Sequence, residues 1–500
     1  MSACGNPATE TDVLMERRPK FDKSRDCVKC KTNRGNIVIR HAVYCKECFT
    51  PLVSFKFRRS LEPFVNELPQ GPRRKALKAS GDLLLAFSGG LGSTVLLDLA
   101  YQAYFANRHE EDRTENQQGG KDHPRNAPIW PKGSICYVEI CSAFPGMKDR
   151  TEKIRTAIAS YGSLDFIPLR LEDAFDNSWW ESVGGRPSPS DLEVDLSNEE
   201  IFISFFSKET IVDPVTSLRT FLSNLPTHTA ISRAVPTLVR ILLLYTARST
   251  GSSHLLLGTS LTSLSVSLIS AISQGAGFTV REEAQEEWAS LDVPSPTRKS
   301  VRVIRPLRDI GMKECAILCW WRNLNVIGKE KIPGGKEDIA NLTKDFIVGL
   351  EKDYPSTVST IARTCGKLIP KAGSARKCIL CEQPVQQGIQ DWKSRTSIRT
   401  LDAAETTSDV IEHSRFISPY LCYACHTTFT SRSSRGSMQS GTTSVRLPVW
   451  TGQHLMDAQW EGTNGDGGHE QKNEVWEKRR AKEEDMKNII GDFLLGDTST

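Results

Sequence analysis

A run of five apolar residues, Leu83-Leu84-Leu85-Ala86-Phe87, passes into the glycine and hydroxyl stretch Ser88-Gly89-Gly90-Leu91-Gly92-Ser93-Thr94. Apolar residues then return at Leu96, Leu99, Ala103 and Ala106, a helical spacing. The pattern predicts strand, tight loop, helix. Ser134 to Ile140 and Asp165 to Leu171 read as two further strands on either side of a helix at Met147 to Tyr161. Leu238, Ile241, Leu242 and Tyr245 mark one side of another helical region. It is followed by an apolar strand ending in the turn Gly258-Thr259-Ser260, a helix from Leu261 to Ala271, and a last strand from Val301 to Leu307. Strands alternating with helices imply an α/β fold built on a doubly wound parallel sheet, here spanning residues 81–355. The polar stretches near 108–128 and 177–199 predict insertions that loop out of this domain. Residues 1–22 read as disordered, 431–473 as flexible and 474–500 as a C-terminal helix.

The loop has a chemical meaning as well. Glycines let the backbone approach a ligand, and the N–H groups opening a helix favour an anion, most simply a phosphate. Ser88, Gly89, Gly90 and Ser93 are therefore candidate nucleotide contacts. No lysine follows the last glycine, which argues against a P-loop kinase or GTPase. Thr259, Ser260, Thr262 and Ser263 form a second hydroxyl turn, either touching a nucleotide or capping a helix. Cys141, at the end of a strand facing the ligand crevice, is either an active-site thiol or a small packed residue. Cys315 and Cys319, one helical turn apart beside Trp320 and Trp321, read as a packed core face.

Eight of the fourteen cysteines fall into four Cys-x-x-Cys pairs, a spacing that in a reducing compartment points to metal. Cys27, Cys30, Cys45 and Cys48 define an N-terminal zinc ribbon at 23–55. Cys378, Cys381, Cys422 and Cys425 define a C-terminal one at 365–430, interrupted by an insertion at 383–414. Two structural zinc sites are the expectation.

Net charge is only +4, so attraction to nucleic acid must come from local patches. A basic linker at 56–80 supplies one. Lys56, Arg58, Arg59, Arg73, Arg74 and Lys75 interleave with Phe55 and Phe57, a composition suited to an RNA backbone and unpaired bases, or else to a solvated connecting helix. Residues 1–20 lack the apolar core of a signal peptide, and no stretch of 18 apolar residues occurs, so no membrane and a cytoplasmic location are expected.

The apolar strand followed by Ser88-Gly89-Gly90-x-x-Ser93 resembles the pyrophosphate loop of the adenine-nucleotide α-hydrolase superfamily, which includes the tRNA thiolases. With two double Cys-x-x-Cys sets, the Gly258 turn, Arg305-Pro306-Leu307-Arg308 and a Phe493-Leu494-Leu495 ending, the chain is similar to the cytoplasmic tRNA 2-thiolation protein 2 family. That resemblance implies a subunit of the complex that forms 5-methoxycarbonylmethyl-2-thiouridine at the wobble position of lysine, glutamate and glutamine tRNAs. It implies tRNA binding, ATP as a possible cofactor and a heterodimer with a paralogous catalytic thiolase. It also implies sulfur delivered by a thiocarboxylated ubiquitin-related modifier. The sequence departs from the catalytic relatives at Gly92, where they usually carry aspartate, and at Thr259-Ser260-Leu261-Thr262-Ser263, where they carry Asn-Ala-Asp-Asp. No cysteine stands between Cys141 and Cys315 to carry sulfur. A non-catalytic or half-catalytic subunit is expected, the alternative being a self-sufficient ATP-dependent tRNA-adenylating sulfurtransferase.

Overall fold

The structure is a computed structural model that describes residues 26–65, 81–106, 128–186, 191–196, 201–207, 212–284, 286–289, 300–328, 338–368, 376–386, 416–431 and 444–464. In chain order, strands β1 (Ile37–Ile39) and β2 (Ala42–Tyr44) precede helix α1 (Lys46–Val65). Strand β3 (Asp82–Ala86), helix α2 (Leu91–Tyr104), β4 (Gly133–Glu139), α3 (Thr151–Ile158) and β5 (Asp165–Arg170) follow. Next come α4 (Asn177–Ser182), β6 (Asp191–Asp195), β7 (Phe202–Ser207), α5 (Pro214–Ser223), α6 (His228–Ser249) and β8 (Ser252–Leu257). The chain continues through α7 (Leu261–Ser273), α8 (Val280–Ala284), β9 (Glu286–Ala289), β10 (Ser300–Ile304), α9 (Met312–Trp321), α10 (Ile339–Asp353) and α11 (Pro355–Cys365). A helix at Tyr423–Thr430, strand β11 (Ser444–Arg446) and a helix at Val449–Asn464 close the described chain.

The main sheet has the order β5-β4-β3-β8-β10-β9. Its first five strands are parallel and β9 pairs antiparallel at the edge. The chain leaves β3 toward β4 and β5, then returns to lay β8 on the other side of β3. This reversal makes the carboxyl ends of β3 and β8 the topological switch point, where open α/β sheets bind ligands. The doubly wound parallel sheet is thus present, and the continuous apolar run of β3 follows from burial on both faces. Leu83 and Leu85 pack with α1, α2 and α9, while Leu84 joins the opposite core with α6.

Helix α6 is long and apolar enough to span a membrane by composition, yet 61% of its apolar window is buried inside the fold. Ile241, Leu242, Leu244 and Tyr245 are all sealed. It serves as the core helix of one sheet face, and no other described helix passes the same test.

Two segments differ from their sequence-based expectation. Residues 177–199, expected as a polar insertion, hold α4 and β6, with Trp180 and Val194 fully buried. Strand β6 lies between β11 and β7 in a three-stranded antiparallel sheet. Residues 431–473, expected as flexible, hold β11 and the Val449–Asn464 helix, with Val445 and Trp450 in the core. In both, a few large apolar side chains outweigh a polar neighbourhood, because one buried tryptophan contributes more apolar area than several serines remove. The expected insertions at 108–128 and 383–414, the N-terminal 1–22 and the helix at 474–500 lie almost wholly outside the described residues.

Candidate metal centres and phosphate loop

Both cysteine quartets are assembled. In each, four sulfur atoms lie within 4.8 Å of one another. Cys30 and Cys45 Sγ atoms are 3.8 Å apart, and Cys381 and Cys422 Sγ atoms 3.6 Å apart. Four thiolates about 2.3 Å from a central ion stand about 3.8 Å from each other on a tetrahedron, so the spacing fits one ion per site. A four-iron cube places each thiolate on a different iron and needs its sulfurs spread further.

The two sites share one plan, although their Cys-x-x-Cys pairs are separated very differently. In the first knuckle of each, the chain reverses just after the second cysteine through a residue of positive φ, Lys31 at 58° and Glu382 at 56°. Lys31 N donates to Cys27 O and Glu382 N to Cys378 O, both at 2.8 Å. The second knuckle of each opens a helix. Phe49 N donates to Cys45 O at the start of α1, and His426 N to Cys422 O at the start of the Tyr423–Thr430 helix.

Each site holds one thiol that its neighbours push up. Burial, together with the sulfurs of Cys45, Cys27 and Cys30, pushes the Cys48 thiol up to about 12. Hydrogen bonds from the Thr32 hydroxyl and the Asn33 and Thr32 backbone pull Cys30 down to about 6. In the second site, hydrogen bonds with Cys378, Cys381 and Cys422 raise Cys425 well above its ordinary value. In each site one thiol, Cys48 or Cys425, is held protonated by its crowded neighbours, and a cation joining the sulfurs would favour its ionisation.

Surroundings separate the two. Cys30 and Cys48 remain partly exposed, whereas all four C-terminal cysteines are buried. Those four belong to the hydrophobic cluster that contains Trp180, Tyr245 and Trp450. Glu382, fully buried beside Cys381, accepts from Tyr245 Oη at 2.7 Å and from Trp288 Nε1 at 2.6 Å. Trp450 Nε1 donates to Leu380 O at 3.0 Å. The C-terminal quartet is thus a node of the core.

At the switch point, Gly89 has φ +74° and Gly90 caps α2 in an extended conformation. The loop groups are turned inward. Ser93 Oγ and Thr94 Oγ1 each donate to Gly90 O at 3.0 Å, and Ser88 Oγ lies 3.3 Å from Ser93 Oγ. Gly328 N donates to Gly89 O at 3.0 Å, and Arg150 Nη2 to Gly328 O at 2.9 Å, so residues 327–328 roof the loop. A Cβ at Gly89 would meet Ile154 Cδ1 at 2.9 Å. A Cβ at Gly92 would meet Gly258 O at 2.0 Å, and one at Gly258 would meet Ser93 N at 2.5 Å. The two turns of the crevice therefore touch backbone to backbone, and the carboxylate that Gly92 lacks would have no room.

The hydroxyl turn resolves in the same direction. Ser260 caps α7, its Oγ accepting from Ser263 N at 3.3 Å, and Thr262 Oγ1 donates to Glu351 Oε2 at 2.7 Å. Cys141 opens the turn two residues beyond β4, next to buried Glu139, which accepts from Ile140 N, Cys141 N and Arg150 N. Burial, then the charges of Glu139 and Asp149, raise the Cys141 thiol, which disfavours the nucleophilic thiolate. Cys315 and Cys319 are core residues of α9.

The basic segment is redrawn. Residues 56–65 are the second half of α1, a continuous helix that already carries Cys48 in its first turn, so no linker starts at 56. Lys56 points inward, its Nζ 2.5 Å from Glu314 Oε1, and is removed from the RNA-facing set. Glu314 is in turn held by Gly311 N at 2.7 Å. Phe57 is buried at 1% exposure while Phe55 is 59% exposed. Phe55, Arg58 and Arg59 share an open side of α1, at the i, i+3 and i+4 spacing. Arg73, Arg74 and Lys75 lie outside the described residues.

Comparison with known proteins places matches along most of the chain. The family model described as Cytoplasmic tRNA 2-thiolation protein 2 matches residues 338–427, which hold α10, α11 and the C-terminal quartet. A protein of that name from Danio rerio is 26% identical over 406 residues, covering 73% of this chain and 73% of its own length. One from Phaeosphaeria nodorum is 26% identical over 414 residues, 80% of this chain and 93% of its own. One from Homo sapiens is 25% identical over 411 residues, 75% and 74%. Among solved structures, the U34-tRNA thiolase NcsA from Methanococcus maripaludis with its 4Fe-4S cluster matches at 16% identity and a TM-score of 0.44. The match covers 76% of this chain and 99% of that one.

Proposed function

We propose that this chain, which belongs to the cytoplasmic tRNA 2-thiolation protein 2 family, is the non-catalytic subunit of a cytosolic tRNA wobble-uridine 2-thiolation complex. Its substrate is the lysine, glutamate and glutamine tRNAs. Its partner is a paralogous thiolase that takes sulfur from a thiocarboxylated ubiquitin-related modifier. The single observation that carries the reading is the contact between Gly92 and Gly258. Backbone of Gly258 occupies the place where a side chain at 92 would begin, so the loop is kept without room for the carboxylate that adenylating relatives carry there. No cysteine of the described core supplies a free thiolate in its stead.

What the chain contributes is a scaffold. Each quartet holds one zinc ion as a structural centre, which locks a knuckle against a helix start. The N-terminal centre fixes the first turn of α1, and the same rod then presents Phe55, Arg58 and Arg59. Together with Arg73, Arg74 and Lys75 they meet the tRNA, the cations on phosphates and the ring against an unpaired base.

Reconstitution tests this. The purified chain alone, given tRNA, ATP and the thiocarboxylated modifier, should leave the tRNA unthiolated, and adding the paralogous subunit should yield 2-thiouridine by nucleoside mass spectrometry. Turnover by the chain alone refutes the non-catalytic reading.

A further inference from the structure

The buried C-terminal quartet presents a charge problem that the N-terminal one does not. A divalent ion in four thiolates carries a net charge of 2−, and enclosing that charge in a hydrophobic cluster is costly unless it is paired. Two arginines of α6 approach the site. Arg233 and Arg240 are seven residues apart, two helical turns, and so lie on one side of the helix. Helix α6 packs on the Tyr423–Thr430 helix that carries Cys425. Arg240 is already committed, since it forms an ion pair with Glu286 and its Nη1 donates to Cys381 O at 2.8 Å. Arg233 differs. Its neighbours in electrostatic reach are Glu283 and the sulfurs of Cys425, Cys381 and Cys422. Its Nε is buried with no hydrogen-bond partner.

The unpartnered Nε leaves the Arg233 guanidinium short of a hydrogen bond, within electrostatic reach of three of the four sulfurs, which carry negative charge once they hold a metal. We infer that Arg233 is the countercharge of the Cys378, Cys381, Cys422 and Cys425 centre, pairing its guanidinium with the metal-bound thiolates and holding the ion in place. Arg233 thereby acts as a positioning residue for the metal, with no part in group transfer. The role is confined to one of the two sites, because the N-terminal sulfurs reach solvent at Cys30 and Cys48 and are screened by water.

The test uses the full chain loaded with zinc and challenged with excess chelator, with released metal followed by a chromogenic dye. The intact chain should release two ions per chain, a fast one from the exposed quartet and a slow one from the buried quartet. Cys27→Ser assigns the fast phase by abolishing it. Arg233→Met should speed the slow phase by about 10- to 100-fold, the usual effect of losing an outer-shell partner, and leave the fast phase unchanged. A slow phase unchanged in Arg233→Met overturns the inference. Should Arg233→Met fail to fold, Arg233→Lys decides. It keeps the charge and loses the Nε donor, so the cobalt-loaded protein should show a shifted sulfur-to-metal charge-transfer band with slow release retained. A band and a release rate both identical to the parent overturn the inference. The inference rests on the metal reading above, and the two fail differently. A parent chain that binds no metal sinks both, whereas a metal-loaded parent indifferent to Arg233 sinks this one alone.

Discussion

Adding one carbon at the switch point should test whether the Gly92 and Gly258 turns touch. In Gly92→Ala the new Cβ would sit 2.0 Å from Gly258 O, where ordinary contacts begin at 3.4 Å. The neighbour is backbone, held in the turn between β8 and α7, so no side chain can swing away. Forcing α2 and the Gly258 turn apart by more than an ångström is an overpacking event that costs about 1–3 kcal/mol. Alanine's helix preference offsets up to about 1 kcal/mol of this, less in a first turn. Gly349 supplies the control. It lies inside α10, and a Cβ there meets nothing within 4 Å. Gly349→Ala should therefore stabilise the protein by about 0.5–1 kcal/mol. Thermal unfolding of the zinc-loaded chain, at roughly 2–4 °C per kcal/mol for a large domain, should show the two substitutions moving the midpoint in opposite directions. If Gly92→Ala is neutral or stabilising like Gly349→Ala, the two turns do not touch and a side chain at 92 has room.

Further predictions concern charge. Burial raises the Asp173 carboxyl to about 6, above its usual 3.8. The folded state then holds its proton more tightly than the unfolded one, so this group's stability contribution is present below about pH 4 and lost as pH rises through 6. Asp173→Asn, which keeps an acceptor for Arg170 N, should raise the unfolding midpoint at pH 7 and lose that advantage at pH 4. On α1, Arg58→Ala with Arg59→Ala should weaken tRNA binding and lower the salt slope by roughly one per phosphate contact, as measured by binding titrations at several salt concentrations. Lys56→Ala should instead cost about 1–3 kcal/mol of stability by leaving Glu314 unpaired, with the salt slope of tRNA binding unchanged. Cys422→Ser should halve the zinc content and collapse the near-ultraviolet signal of the buried tryptophans, whereas Cys48→Ser should halve the zinc content and leave that signal in place.

The parts legible in the sequence were those whose cause is local. β3, its loop and α2 announce themselves because an apolar run, glycines and a helical period are adjacent. The cysteine quartets are legible because a knuckle needs a fixed short spacing. What stayed hidden depends on distant partners. Gly92 reads as a missing aspartate until Gly258, far along the chain, is seen pressed against it. Lys56 reads as one more surface cation until Glu314 arrives from α9. The positive φ at Lys31 and Glu382 leaves no mark, since neither is glycine, and only the shared hydrogen-bond pattern reveals it. Arg233 was equally silent, its periodicity matching any solvated helix face.

The embedding of the C-terminal quartet in the core also sets an order of events during synthesis. Helix α6 emerges from the ribosome early with an apolar flank that Ile379, Leu380, Phe429 and Trp450 help to cover. All of those residues are made much later, and two of the four cysteines lie beyond the 387–415 segment. Until translation passes them, α6 covers its face of the nascent sheet while its own outer flank stays bare. Zinc capture is then the last closing step, and a chain truncated before Cys422 should be a client of chaperones and proteases even though every strand of its main sheet has already been made.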